Sequence, residues 1–336
     1  MHVDADCRST SLSQAILAYL RVISDNRSVQ THHTYRYALK AFARTLSNHH
    51  IPPDETPPAG LPEDAMAWFA EALKASSPAT EKLYLTAAAG FFEFLAAESL
   101  AMPNLPRVRL LLRTRSRKIG PRLPDFKRDD IEKLLEYAIN LAKQAVESNE
   151  NGMVRHLRNL RDRAFLVALA DTGLRVHEAC NLRRGDVDWN EGRAIIIGKG
   201  DKQAVVRFSR RSLAAIREYL GARAALDGTS GKPLATLPVF ARHDKGAGKK
   251  IKAITTTTGR NIVAQRVEEA LGSEFAGKIT PHTLRHYFVT AVLQGSGNLK
   301  LAQVLARHSN IAVTQRYAHL EDSELDRQYG EIFNGG

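Results

Sequence analysis

Apolar residues recur every three or four positions through most of this chain, the spacing that gives a helix one buried face. Ser11 opens the first such stretch, whose stripe is Leu12, Ile16, Tyr19, Leu20 and Ile23. Thr31 or Thr34 is placed to cap a second helix carrying Tyr35, Ala38, Leu39, Phe42 and Leu46. Pro52, Pro53, Pro57 and Pro58 mark a loop before a third helix around Met66, Trp68, Phe69 and Leu73. Ser77-Pro78 starts a fourth, with Leu83, Leu85, Phe91, Phe92 and Leu95 as its stripe. These aromatics read as core, so residues 8–103 predict a helical bundle with no strand signal.

The pattern then lapses. Residues 107–122 hold seven Lys or Arg and no acid, with Pro103 and Pro106 before them and Pro124 after. Like charges repel and proline discourages helix, so 104–122 predicts an extended basic linker tracking a DNA backbone through Arg107, Arg109, Arg113, Arg115, Arg117 and Lys118. Residues 123–336 then predict a second, mixed domain. Helices are expected from Asp129-Asp130, over 158–170, and at about 210–225, 259–271, 282–294 and 298–307. Residues 193–198 and 204–208 alternate as strands around Lys199-Gly200-Asp201-Lys202, a hairpin signal. The fold class is therefore mainly α with a small β-sheet in the second domain.

Charge narrows the function. Against 36 Asp and Glu stand 48 Lys and Arg, a formal +12 in 336 residues. Such a field attracts polyanions, and with 7% aromatic residues it suits clamping duplex phosphates better than stacking on single strands. Exposed Arg260, Gln265 and Arg266 of the 255–268 helix are candidates for the grooves. Cys7 and Cys180, with no CxxC pair, suit a reducing cytoplasm and exclude a cysteine zinc site. The longest apolar run, Ala164 to Ala170, is too short to span a bilayer, and no secretory signal core is visible.

Four segments could handle a phosphodiester. In Thr172-Gly-Leu-Arg-Val-His-Glu178, Gly173 can end one helix and Arg175 begin the next, with Glu178 one turn on to aim it. A guanidinium fork matches two phosphate oxygens. In Pro281-His-Thr-Leu-Arg-His286, His282 emerges at a helix N-terminus with Arg285 one turn on. Arg307-His308 precedes Tyr317, and Lys199 sits in the hairpin. Taken singly, each has an ordinary structural explanation: an ion pair, a capping histidine, a core tyrosine, a turn lysine.

Their order and spacing do not. An Arg, a Lys 24 residues later, an HxxR, a His and a Tyr nine residues on resemble the tyrosine recombinase (phage integrase) family. The segments TGLRVHE, GKGDK, HTLRH and HSNIAVTQRY match its boxes, and THHTYRYALKAFARTL and SPATEKLYLTAAAGFFEFL look like its core-binding domain. The resemblance implies a two-domain, C-shaped clamp: a helical core-binding domain plus an α+β catalytic domain. It implies Tyr317 as nucleophile and Arg175 and Arg285 on the non-bridging oxygens. His282 and His308 would bond the phosphate or assist proton transfer, Lys199 would act as acid to the leaving 5′-oxygen, and Glu178 would support Arg175 or His308.

It implies further a tetramer on paired sites in double-stranded DNA, a monomer being compatible with the DNA-free state. DNA-bending accessory proteins, no cofactor, no metal, no membrane, and a cytoplasmic, nucleoid-associated setting in a prokaryote, phage or mobile element complete the expectation. The tail after Tyr317, with Leu320, Leu325, Tyr329 and Phe333, would dock on a neighbouring subunit. The alternatives are a type IB topoisomerase-like nicking-closing enzyme and a catalytically silent architectural DNA-binding protein. Two departures stand out: Arg307 occupies a position where the family commonly has Gly, and residues 140–157 are longer and more polar than the family pattern.

Overall fold

The Ser11 side chain accepts from the Gln14 N–H, and the Gln14 side chain returns the bond to the Ser11 N–H, so α1 (Leu12–Asn26) starts on a closed capping box. The computed structural model describes residues 10–115, 117, 126–144, 149–197, 203–244, 246 and 250–308. The chain divides into two units, Met1–Pro121 and Arg122–Gly336.

In the first unit α2 (Val29–Asn48), α3 (Ala65–Ala72) and α4 (Pro78–Ala97) pack with α1 around Phe42, Phe69, Phe91 and Phe92. Ser28, rather than Thr31 or Thr34, caps α2, and Thr31 supplies the N–H that Ser28 accepts. Leu83 lies on the exposed side of α4 rather than in its buried stripe.

The expected extended linker is instead largely a fifth helix, α5 (Leu105–Arg115). Leu105, Val108, Leu111 and Leu112 share a face against the bundle core, and Pro106 falls in the first turn, where its missing N–H costs nothing. The like charges are separated by acids of the bundle. Arg107 pairs with Glu63 at 2.8 Å and with Asp64, and Arg109 with Glu93 at 3.0 Å. Residues 118–122 lie outside the described residues.

The second unit is built around α7 (Glu150–Thr172), against which α6 (Arg128–Ala142), α9 (Arg210–Ala222) and α12 (Pro281–Ser296) pack. α7 begins eight residues before the expected 158, so much of the polar 140–157 stretch is helical. Its centre, Asn159 to Ala170, is buried on every side, including Arg161, Asp162 and Arg163. Asp162 is neutralised by Arg161 and by Arg266 of α11 (Thr256–Leu271), each at 2.7 Å.

The sheet is antiparallel with order β1-β2-β3. β2 (Arg193–Ile197) pairs with β3 (Gln203–Arg207), from Arg193 opposite Arg207 to Ile197 opposite Gln203. A short β1 (Val187–Asp188) that the sequence did not suggest joins β2. Side chains alternate, with Ala194, Ile196 and Val206 facing the core and Ile195, Ile197 and Val205 facing outward. The hairpin tip, with Lys199, lies outside the described residues. The short helices α8 (Val176–Asn181), α10 (Ala224–Gly228) and α13 (Leu299–Ala306) complete the unit. Among the described residues no helix is long and apolar enough to cross a membrane.

Candidate active site

Helix α7 ends because Gly173 adopts φ +59°, the left-handed conformation that glycine tolerates at no steric cost. The chain then turns so that Arg175 sits at the N-cap of α8. The Arg175 N–H donates to Glu178 Oε2 at 2.8 Å, and Arg175 Nη1 donates to Oε1 at 2.8 Å. The expected aiming of Arg175 by Glu178 is therefore present. Glu178 is buried while the Arg175 side chain remains 42% exposed, so the carboxylate anchors a guanidinium that reaches solvent.

Thr280 caps α12 by accepting from the Thr283 N–H, and Pro281 occupies the first turn. This start places His282 outward and Arg285 inward. Arg285 is 3% exposed, and its guanidinium donates to the carbonyl oxygens of Gly173 and Ala306. Those partners are neutral, so its charge is not cancelled in place. Burial, with the nearby charges of Arg175 and Arg307, pulls its pKa down to about 9, which leaves it charged at neutral pH.

α13 ends in Arg307, also left-handed at φ +56°, and this bend delivers His308 to the same cluster. Burial and the charges of Arg285, Arg175, His282 and Arg307 push the His308 imidazole down to about 4. His282 is lowered by burial and by Arg285 and Arg175. Both imidazoles are thus neutral at pH 7. Burial raises the Glu178 carboxyl, but the Arg175 N–H, the Arg307 charge and the Arg175 side chain outweigh it and hold the group below the usual carboxylate range.

A groove of about 580 Å³ opens over this cluster, with Arg175, His282, Arg285 and Arg260 in its lining. Arg175 and Arg285 line the groove and Arg307 lies beneath it, so three guanidinium groups surround the one carboxylate of Glu178, a surplus of positive charge suited to an anion. Among the described residues no group of three His, Cys, Asp or Glu side chains is placed to hold a metal ion. The geometry thus unites Arg175, Glu178, His282, Arg285 and His308, drawn from three separate segments. Lys199 and Tyr317 lie outside the described residues, as do Lys118 and the tail.

The sequence model of the phage integrase family matches residues 127–324, more than half of the chain. The chain belongs to the phage integrase family. That span contains all seven residues singled out from the motifs. The chain is 36% identical over 171 residues to tyrosine recombinase XerC of Pelobacter propionicus, covering 51% of each protein. It therefore spans about half the length of that relative. Tyrosine recombinase XerC of Pediococcus pentosaceus is 31% identical over 249 residues, 74% of each protein. The solved XerH site-specific recombinase bound to palindromic difH substrate, a post-cleavage complex, shares the fold. Its TM-score is 0.68 at 22% identity over 96% of this chain and 85% of that one.

The basic residues expected on DNA divide in this member of the family. Arg113 and Arg115 are exposed in the last turn of α5, and Arg260 lines the groove. Arg117 is tied to the buried Glu81 at 2.5 Å. Arg266 is not on the surface: it is 7% exposed and bonded to Asp162, Asn159 and Glu269, because its position on α11 faces α7. The sequence also missed the inward course of Arg307. Its only signal was a large cation where the family commonly has glycine.

Proposed function

We propose that this integrase-family chain is a site-specific DNA recombinase. It cuts and rejoins duplex DNA through a 3′-phosphotyrosine and exchanges strands in a tetramer on paired sites. The observation that carries this reading is the cationic groove lined by Arg175, His282 and Arg285, with His308 close enough to feel the charge of both arginines. Two fixed guanidiniums suit the non-bridging oxygens of a phosphodiester, on which negative charge grows as the nucleophile arrives.

The Tyr317 oxygen attacks the scissile phosphorus, the bond from phosphorus to the 5′-oxygen breaks, and Lys199 gives the leaving oxygen its proton. A phenol ordinarily titrates near ~10, so its proton must be taken as it attacks. His308, held neutral, is a group able to accept it, and the incoming phosphate offsets the arginine field that disfavours its protonated form. The phosphotyrosine keeps the energy of the original linkage, so a 5′-hydroxyl can reseal the strand by the reverse attack. Glu178 acts on Arg175 and not on the DNA.

A nicked suicide duplex, carrying a site the protein selects from a random pool, tests the reading. A covalent adduct on a denaturing gel is expected with the parent chain and absent with Tyr317→Phe. Loss of the Arg175 or Arg285 guanidinium should slow adduct formation by ~10²–10³. A bound site that yields no adduct in an assembled complex sinks the proposal in favour of an architectural role. Relaxation of supercoils without paired sites favours a topoisomerase.

A further inference from the structure

Arg307 departs from the family's common glycine, yet its backbone keeps the left-handed conformation that suits glycine, φ +56° and ψ +43°. A non-glycine residue there carries local backbone strain. The side chain does not reach toward solvent, where a phosphate contact would lie. It is 9% exposed and folds back beneath the site. Nη2 donates to the Gly173 carbonyl at 3.0 Å and to Glu178 Oε2 at 3.2 Å, and Nη1 donates to the Leu305 carbonyl at 3.2 Å.

Two of these acceptors, Glu178 and the Gly173 carbonyl, hold the proposed phosphate ligands. Glu178 grips Arg175, and the Gly173 carbonyl also receives Arg285. We infer that Arg307 is a positioning residue for the strand-transfer reaction, a buried clamp that joins Glu178 to the end of α7 and so fixes the relative placement of Arg175, Arg285 and the adjoining His308. This inference rests on the recombinase reading. A second consequence follows from charge: the Arg307 guanidinium favours the ionised form of Glu178, the form that anchors Arg175.

The test compares Arg307→Gly, Arg307→Lys and the parent full-length chain on one nicked suicide duplex, reading adduct rate at saturating DNA, DNA affinity and thermal midpoint. Glycine suits the backbone, so Arg307→Gly should fold. Its single-turnover rate should fall on the order of 10-fold to 100-fold with DNA affinity unchanged, as expected when reacting groups are slightly misplaced. Arg307→Lys should recover part of that rate, since an ammonium can still reach Glu178. Combining Arg307→Gly with Glu178→Gln should cost little more than the larger single loss.

Adduct formation by Arg307→Gly at the parent rate overturns the inference and leaves the recombinase reading standing. So does a loss of affinity matching the loss of rate, which marks a direct phosphate contact, or a Lys variant no faster than Gly. No adduct from the parent chain on a site it binds overturns the recombinase reading, and the positioning role with it.

Discussion

Arg285 donates a guanidinium N–H to the carbonyl oxygen of Gly173, a residue 112 positions earlier in the chain. That one bond joins the two segments carrying the arginines of the site. It exists because α7 ends at Gly173, leaving carbonyls without helical donors at the negative end of the helix dipole. Arg307 uses the same end, bonding Gly173 and, more loosely, Thr172 at 3.4 Å. The C-terminus of α7 thus holds Arg285 through uncharged carbonyls, which keeps its charge available to an anion, while Arg307 bridges the same end to Glu178.

Gly173→Ala should therefore damage both stability and chemistry. The left-handed backbone costs alanine about 1–2 kcal/mol, and an added Cβ would lie 2.4 Å from Phe288 Cδ1, so that ring must move. Phe288 stands on α12 beside Tyr287, three positions from Arg285. The expected result in urea unfolding is a loss of about 2–3 kcal/mol. An adduct rate reduced beyond the fraction unfolded would accompany it. A variant as stable as the parent would show that the end of α7 is not under this constraint.

Glu178 sets an acid limit on the site. Its folded pKa lies below the usual carboxylate value of 4.5, while the unfolded chain titrates near that value. Its stabilising contribution is thus complete above pH 4.5 and is lost as pH falls through the folded pKa. Replacing Glu178 by Gln removes the charge that holds Arg175 and Arg307, a loss of about 2–3 kcal/mol at neutral pH. The urea midpoint of the parent should drop below pH 4.5 more steeply than that of the variant. Parallel curves would assign the acid sensitivity to other carboxylates.

His308 offers a direct reading of the electrostatic field. In the DNA-free protein its ring should titrate near 4, against 6.5 for an unperturbed imidazole, because burial and Arg285, Arg175, His282 and Arg307 oppose its charged form. The sign for stability follows: a neutral folded imidazole supports folding fully above pH 6.5 and progressively less as pH falls toward 4. Ring proton shifts followed by NMR should show this low midpoint and a higher one in Arg285→Ala. A midpoint near 6.5 in the parent chain would mean that the arginines do not face His308 in solution.

Local signals carried much of the fold into the sequence. The stripe Leu12, Ile16, Tyr19, Leu20, Ile23 is buried as its spacing predicts, and Thr172-Gly173 ends a buried helix. Two of the misses, the helical course of the linker and the burial of Arg266, share a cause, because each depended on partners distant in sequence. Arg107 and Arg109 sit in a helix whose apolar face packs on the bundle, where Glu63, Asp64 and Glu93 pair with them. Leu105, Val108, Leu111 and Leu112 hold a helical period that the prolines and the run of like charge mask. In the site, spacing named Arg175, Glu178, His282, Arg285 and His308. It could not show which arginines face the groove and which turn beneath it.

Arg260 and Arg266 stand six residues apart on α11 and should behave as opposites. Arg260 is exposed on the groove, so Arg260→Ala should leave stability nearly unchanged and weaken DNA binding across sequences. The log–log dependence of affinity on salt should flatten by about 1, the signature of one lost phosphate contact. Arg266 is committed to Asp162, Asn159 and Glu269 within the protein. Arg266→Ala would leave Asp162, itself 3% exposed, with Arg161 as its remaining ion-pair partner among the described residues. Breaking such a buried pair costs about 3 kcal/mol or more, so this variant should unfold early in urea while its folded fraction keeps the parent salt slope. The comparison needs both measurements on both variants. A reduced slope in Arg266→Ala at full stability would place that guanidinium on the DNA after all.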